Sequence, residues 1–174
     1  MNRRQLLFAL AASGAAVSLP RLALGAAGPR QAVVGAAWRG PKPTDPYFAG
    51  ALLADWETRK LSIRYAVPLP TRPHGLLAEA DGGMLVVGVR PGTWLLRCDG
   101  MGKLMQQVRI DDDGATAQLG GHAVVSADGE RIYTTETDQR DERGLVGVRD
   151  RRSLRKLAEW ETHGIDPHQL MLDA

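Results

Sequence analysis

The chain has 174 residues, 24% of them charged, and a formal net charge of +2. Three of its 22 basic residues and none of its 20 acidic residues lie in residues 1–25, so residues 26–174 carry 19 bases against 20 acids. This balance argues against binding to nucleic acid or to an anionic membrane surface. Cys98 is the only cysteine, which excludes an internal disulfide and leaves the fold to packing and sheet hydrogen bonds.

The N-terminus predicts an export signal. Arg3 and Arg4 precede an apolar run over residues 6–17, and Ala23 and Gly25, with Leu24 between them, fit an A-x-A-like cleavage site. This order is typical of a secretory signal peptide, so we expect residues 1–25 to be removed; an uncleaved anchor is the alternative. The run is too short to span the ~30 Å hydrocarbon core comfortably. No later segment is apolar enough for a membrane helix, so no membrane span is expected in the mature chain.

The arginine pair also indicates the route of export. Arg3 and Arg4 followed by Gln5 and two leucines resemble a twin-arginine signal, although Asn2 stands where Ser or Thr is usual. Export as an unfolded chain is the alternative. A periplasmic location is expected, and the twin-arginine route would deliver a protein that is already folded.

The next feature in chain order is a repeat. Residues 73–77 (PHGLL), 121–125 (GHAVV) and 167–171 (PHQLM) share an opening, and their histidines lie 48 and 46 residues apart. An Asp-Gly pair follows the first two openings, at 81–82 and 128–129. Asp-Gly between two apolar runs is a strong hairpin signal. Each repeat therefore begins with two predicted strands.

A second block completes each repeat. It recurs at residues 51–61, 94–104 and 144–157, each time as a strand, a short polar turn and another strand. Four strands in about 47 residues match one blade of a β-propeller. The predicted fold is therefore all-β, a β-propeller of four-stranded blades behind a signal peptide, with residues 26–174 as its N-terminal part.

About three blades are present. In the first blade the innermost strand is missing, and its other strands are predicted near residues 31–38, 48–55 and 60–68. Complete blades follow near 74–110 and 122–161, and residues 168–174 fall in the innermost strand of a fourth. Propellers close with at least four blades, so we expect a longer protein whose C-terminal residues supply the missing strand. An open three-blade stack is the alternative.

The candidate site lies at the channel mouth. The innermost strand of a blade starts where its antiparallel neighbour ends, so both ends share one face. This argument predicts a ligand-binding group made of His74, His122, His168, Arg90, Glu136 and Asp138. Imidazoles and carboxylates suit a transition metal, which makes His122 with Glu136 the candidate metal ligands. The alternative is that each blade needs its histidine for a structural hydrogen bond.

Several chemistries find no support in the sequence. It contains no C-x-x-C-H for a covalent c-type haem, no G-x-S-x-G elbow, no glycine-rich phosphate loop and no H-E-x-x-H. Residues 111–113 are three aspartates, but they lack the spaced acids and distal Glu of a calcium loop. No catalytic residue is assigned.

Residues 121–129 (GHAVVSADG), 133–136 (YTTE) and 166–168 (DPH) resemble an uncharacterised family of secreted bacterial β-propellers, domain of unknown function 1513. This family lies within the superfamily of lactonase-like and quinoprotein-like propellers. The chain departs from it at Thr137, where Asn is expected. The resemblance implies a setting in iron acquisition, with imelysin-like or di-haem periplasmic proteins as partners. It implies no activity.

Two functions remain open at this point. The first is a non-enzymatic periplasmic propeller that binds a ligand or a partner at its channel face. The second is an enzyme, either a metal-dependent lactonase-like hydrolase or a redox propeller, with its site at the channel mouth.

Overall fold

Eleven antiparallel strands form the part of the chain that the computed structural model describes, residues 30–110 and 116–173. Valine, isoleucine, leucine and threonine dominate the central strands, which suits a pleated, buried surface. The strands are β1 (Gln31–Arg39), β2 (Tyr47–Asp55), β3 (Lys60–Leu69), β4 (Pro73–Ala78), β5 (Met84–Gly88), β6 (Trp94–Cys98), β7 (Leu104–Arg109), β8 (Ala117–Val125), β9 (Arg131–Asp138), β10 (Arg143–Asp150) and β11 (Lys156–Ile165). The predicted signal peptide and the three aspartates at 111–113 lie outside the described residues.

The strands form three consecutive sheets, each a simple meander. Their orders are β1-β2-β3, β4-β5-β6-β7 and β8-β9-β10-β11. The first sheet has three strands and the other two have four, which confirms the predicted blade pattern of a partial β-propeller. The inner-edge strands β4 and β8 pack against each other, and β1 packs beside β4.

Two apolar layers hold the three sheets together. The side chains of β5 alternate between them: Val86 faces the first sheet, whereas Leu85 and Val87 face the third. This strand is buried on both faces, as the central strand of a sandwiched sheet must be. Cys98 lies in the layer between the first and second sheets and is 1% exposed. Burial raises the pKa of its thiol, so Cys98 is a packing residue.

A polar contact also joins the second and third sheets. The Glu79 carboxylate accepts hydrogen bonds from Arg97 Nε at 3.0 Å and from Arg151 Nη2 at 2.6 Å. Arg97 also donates to the backbone oxygen of Arg151 at 2.7 Å. This ion-pair group connects the β4–β5 turn to the β10–β11 turn. Sequence analysis did not predict it, because its members lie up to 72 residues apart.

The segment after β11 differs from expectation. Residues 167–173 take no regular secondary structure, whereas an inner strand was predicted from residue 168. A strand needs a neighbouring strand to pair its backbone groups, and the described residues offer none here. Across residues 30–110 and 116–173, no helix is long and apolar enough to cross a membrane.

Candidate functional site

Three histidines from successive repeats meet at the inner edge of the sheets. His74 lies in β4, His122 lies in β8, and His168 follows β11. The Nε2 atoms of His74 and His122 are 3.1 Å apart. The ring centroids of the three pairs are 4.7, 4.8 and 5.7 Å apart, with the rings edge to face. One imidazole nitrogen from each residue lies within 4.8 Å of the others.

Breaks in strand register aim two of these histidines. In β4, Pro73 pairs with Gly88 and Gly75 with Val87, so His74 has no partner of its own. In β8, the register jumps from Leu119 to Ala123, while in β9 it moves only from Glu136 to Thr134. Residues 120–122 therefore stand opposite Thr135 alone. Bulges of this kind re-aim side chains next to functional sites, and here they turn both imidazoles toward one point.

Two glycines allow the strands to come this close. A Cβ on Gly75 would lie 2.3 Å from the backbone oxygen of Gly121. A Cβ on Gly121 would lie 2.8 Å from the His74 ring, and Gly121 also has a φ of +102°, which side-chain-bearing residues rarely adopt. The glycines next to His74 and His122 are therefore part of the site.

Replacing Gly121 should disrupt the histidine cluster. We expect Gly121→Ala to lower the free energy of unfolding by about 1–3 kcal/mol, because it forces an unfavourable φ and a clash with His74. The matched control is Gly164→Ala, since an added Cβ there meets nothing within 4 Å. Denaturant unfolding of both variants is the measurement. Equal stability of the two variants would contradict the role assigned to Gly121.

An ion pair places the third histidine. Arg90 Nη1 donates to both carboxylate oxygens of Asp166, at 2.8 and 2.7 Å. Asp166 precedes His168 by two residues, so the contact ties the His168 segment to the end of β5, 76 residues away in sequence. Arg90 was predicted as a channel-mouth residue, and in the structure it is engaged with Asp166.

The electrostatic setting favours neutral imidazoles. The pKa values of His74 and His122 lie below their usual value of 6.5, first because of partial burial and then because of the neighbouring histidines and Arg90. Neutral rings have lone pairs available for a ligand at pH 7. Among the described histidine, cysteine and acidic residues, these three histidines form the group close enough to hold one metal ion.

Glu136 occupies a different environment from the histidines. It is fully buried and binds Arg149 Nη2 and Lys156 Nζ, both at 2.7 Å, and it also accepts from the Thr134 hydroxyl. Burial alone would raise the pKa of Glu136, but the charges of Arg149 and Lys156 outweigh it and lower this pKa below its usual value. The carboxylate predicted as a metal ligand with His122 is thus engaged within the third sheet.

Asp138 is likewise engaged in local contacts. Its side chain is 2% exposed and binds Arg140 Nη2 at 2.6 Å and Arg143 Nη2 at 3.3 Å. The hydrogen bonds from Arg140 lower the pKa of this carboxyl well below its usual range. Side chains alternate along a strand, and it is Thr137 that lines a cavity of about 280 Å³ beside Arg90.

Comparison with solved structures finds similar chains. The chain resembles the solved structure of the dihydro-heme d1 dehydrogenase NirN in complex with DHE, at 14% identity over 73% of this chain and 27% of that one, with a TM-score of 0.47. It also resembles apo AztD from Citrobacter koseri, at 20% identity over 71% of this chain and 33% of that one, with a TM-score of 0.41. The chain thus spans about a quarter to a third of the length of these two structures.

A comparison with curated proteins finds no match. The family described as "Protein of unknown function (DUF1513)" matches residues 67–174, which include the second and third sheets and all three clustered histidines. Because this match covers more than half of the chain, the chain belongs to the DUF1513 family.

Proposed function

We propose that the chain is part of an exported, periplasmic β-propeller that binds a ligand or a partner protein at its channel mouth, without catalysing a reaction. The observation that carries this proposal is the convergence of His74, His122 and His168 from three repeats. Export rests on the predicted signal peptide at residues 1–25 and its arginine pair. A role in iron acquisition rests on the family context.

The contacts of the histidines support a binding role over a purely structural one. A histidine that each blade needed for itself would bond within its own blade. Here the imidazole rings contact one another across the blades. His74 and His168 are exposed and His122 is half-buried, so the cluster can reach a molecule that enters from solvent.

The proposed partners are imelysin-like or di-haem periplasmic proteins. The channel-mouth histidines would lie at or near the contact, and no nucleic acid or membrane surface is involved. An exposed site carried by two sheets and the segment after β11 suits recognition of a partner, because β4 and β8 hold His74 and His122 in fixed relative positions.

Variants of the full-length protein test this proposal. We expect native mass spectrometry and pull-downs from envelope extracts, with and without iron limitation, to recover a bound ligand or partner. His122→Ala should reduce its recovery at least about tenfold, since one anchor of the site is lost. The control is His163→Asn, because His163 is exposed and its φ of 57° is one that Asn accepts. Absence of any ligand or partner, or equal recovery with His122→Ala, would count against the proposal.

An enzyme is the second candidate, favoured by the exposed side of the histidine cluster. A metal ion with three histidine ligands and an open position lowers the pKa of bound water to about 7 and so supplies a hydroxide nucleophile. Attack on a lactone carbonyl would open the ring; a redox propeller is the other enzymatic form. Lactone turnover by the metal-loaded protein at the buffer rate would end the hydrolase version.

A further inference from the structure

We infer that His74, His122 and His168 together bind one divalent transition-metal ion through their imidazole nitrogens, with at least one coordination position open to solvent. The inference rests on the proposed function and names the ligand class of its site. It also changes the predicted ligand set, because His74 and His168 take the place of Glu136 beside His122.

The distances suit one small ion. Zinc–nitrogen bonds of about 2.0–2.1 Å in a tetrahedral site place the ligand nitrogens roughly 3.3 Å apart. The Nε2 atoms of His74 and His122 are 3.1 Å apart, and all three ligand nitrogens lie within 4.8 Å of one another. The longest separation exceeds the tetrahedral spacing by at most about 1.5 Å, and a movement of the exposed His168 ring can close this gap, because surface side chains change rotamer readily.

The donor set selects the class of metal. Imidazole nitrogens suit zinc, copper, iron and nickel, whereas magnesium and calcium take oxygen ligands. Both carboxylates predicted at this mouth, Glu136 and Asp138, are engaged by arginine or lysine side chains, and Cys98 is buried between two sheets. Nitrogen is therefore the donor that the described residues present here.

An ion pair beside the histidines holds the third ligand. The positive charge of Arg90 is paired with the Asp166 carboxylate, with Nη1 and Oδ2 2.7 Å apart. The same contact fixes the backbone two residues before His168, which makes Arg90 and Asp166 positioning residues for the third ligand.

Metal titration of the full-length protein, first stripped of metal, tests the inference. We expect one Co²⁺ per chain, with the visible absorption of a low-coordinate nitrogen site, and one Zn²⁺ by calorimetry that binds more tightly, in keeping with the usual affinity order. His122→Ala and His168→Ala should each weaken binding about 100-fold or more. Arg90→Gln should weaken it about tenfold, the usual scale for a residue that orients a ligand. His163→Asn should leave it unchanged.

The histidine variants separate the metal inference from the proposed function. Unfolding curves of the metal-free variants show whether His122→Ala folds, and His168→Ala repeats the test outside the strands. Binding that survives both histidine substitutions would overturn the inference, because the ion would then lie elsewhere. If the wild type binds neither metal, yet His122→Ala still abolishes partner recovery, the metal inference is wrong and the proposed function stands. If His122→Ala changes neither metal nor partner binding, both are wrong.

Discussion

Glu136→Gln is expected to lower the free energy of unfolding by about 3–5 kcal/mol, the usual result of removing one partner from a buried ion pair. Glu136 is fully buried and Arg149 is only 3% exposed. Neutralising the carboxylate leaves the Arg149 charge inside the protein without compensation. The Lys156 charge is destabilised less than that of Arg149, because the Lys156 side chain is 22% exposed and can turn toward water. Denaturant unfolding of the full-length protein is the measurement.

A double variant and a surface control sharpen this test. Glu136→Gln combined with Arg149→Met removes both buried charges and should be less destabilised than Glu136→Gln alone. Glu161→Gln changes an exposed carboxylate of β11 and should shift stability by less than about 0.5 kcal/mol. A loss of under about 1 kcal/mol in Glu136→Gln would show that this ion pair is not a main support of the third sheet.

The pH dependence checks the same pair independently. The pKa of Glu136 in the folded protein lies below its usual value of 4.5. Its contribution to stability is therefore complete above that value and is lost as the pH falls through the folded-state pKa. The stability difference between the wild type and Glu136→Gln should narrow in acid. A difference that stays constant below pH 4.5 would contradict the lowered pKa.

The repeat made the fold predictable from the sequence. The first sheet was predicted near residues 31–38, 48–55 and 60–68, and its strands end within a residue or so of these bounds. Each Asp-Gly pair forms the turn that joins two strands of one sheet. Local turn chemistry and a fixed period therefore carry enough information for sheet order, because sequential strands pair as neighbours. The strand predicted from residue 168 is not formed, because a strand also needs a neighbouring strand to pair with, and the local sequence does not show whether one is present.

The repeat predicts that the three histidines converge, but it does not predict which other side chains join them. The shared place of the three histidines in the repeat brings them to one edge. The direction of Glu136 could not be foreseen, because a shift of one residue in register moves a side chain to the other face of a sheet. Because of the register break at residues 120–122, the side chains of His122 and Glu136 point in different directions. The adjacent glycines, Gly75 and Gly121, were the available sequence signal for this close approach.

Residues 26–174 expressed alone are expected to unfold broadly or to aggregate, whereas the longer protein expected from the repeat should unfold in one sharp transition. In blade arrays, stability is roughly a sum of unit and interface terms. The three sheets here share two interfaces, and each end sheet has a face that no described residue covers. Ordering the chain costs about 1–2 kcal/mol of conformational free energy per residue. The two uncovered sheet faces bury little apolar surface to offset this cost.

The exposed faces are apolar, which is why aggregation is expected. In the first sheet, Val34 and Ile63 both pair with Leu52 and so share the face opposite the core; they are 44% and 61% exposed. In the third sheet, Trp160 is 56% exposed, and among described rings it contacts Tyr133 alone, with the two rings tilted. Exposed sheet edges and apolar faces invite association. Size-exclusion chromatography, thermal unfolding and amide NMR are the measurements. A monomer with a steep melt and dispersed amide signals would show that three blades suffice, and that the exposed faces of Ile63 and Trp160 need no further blade to cover them.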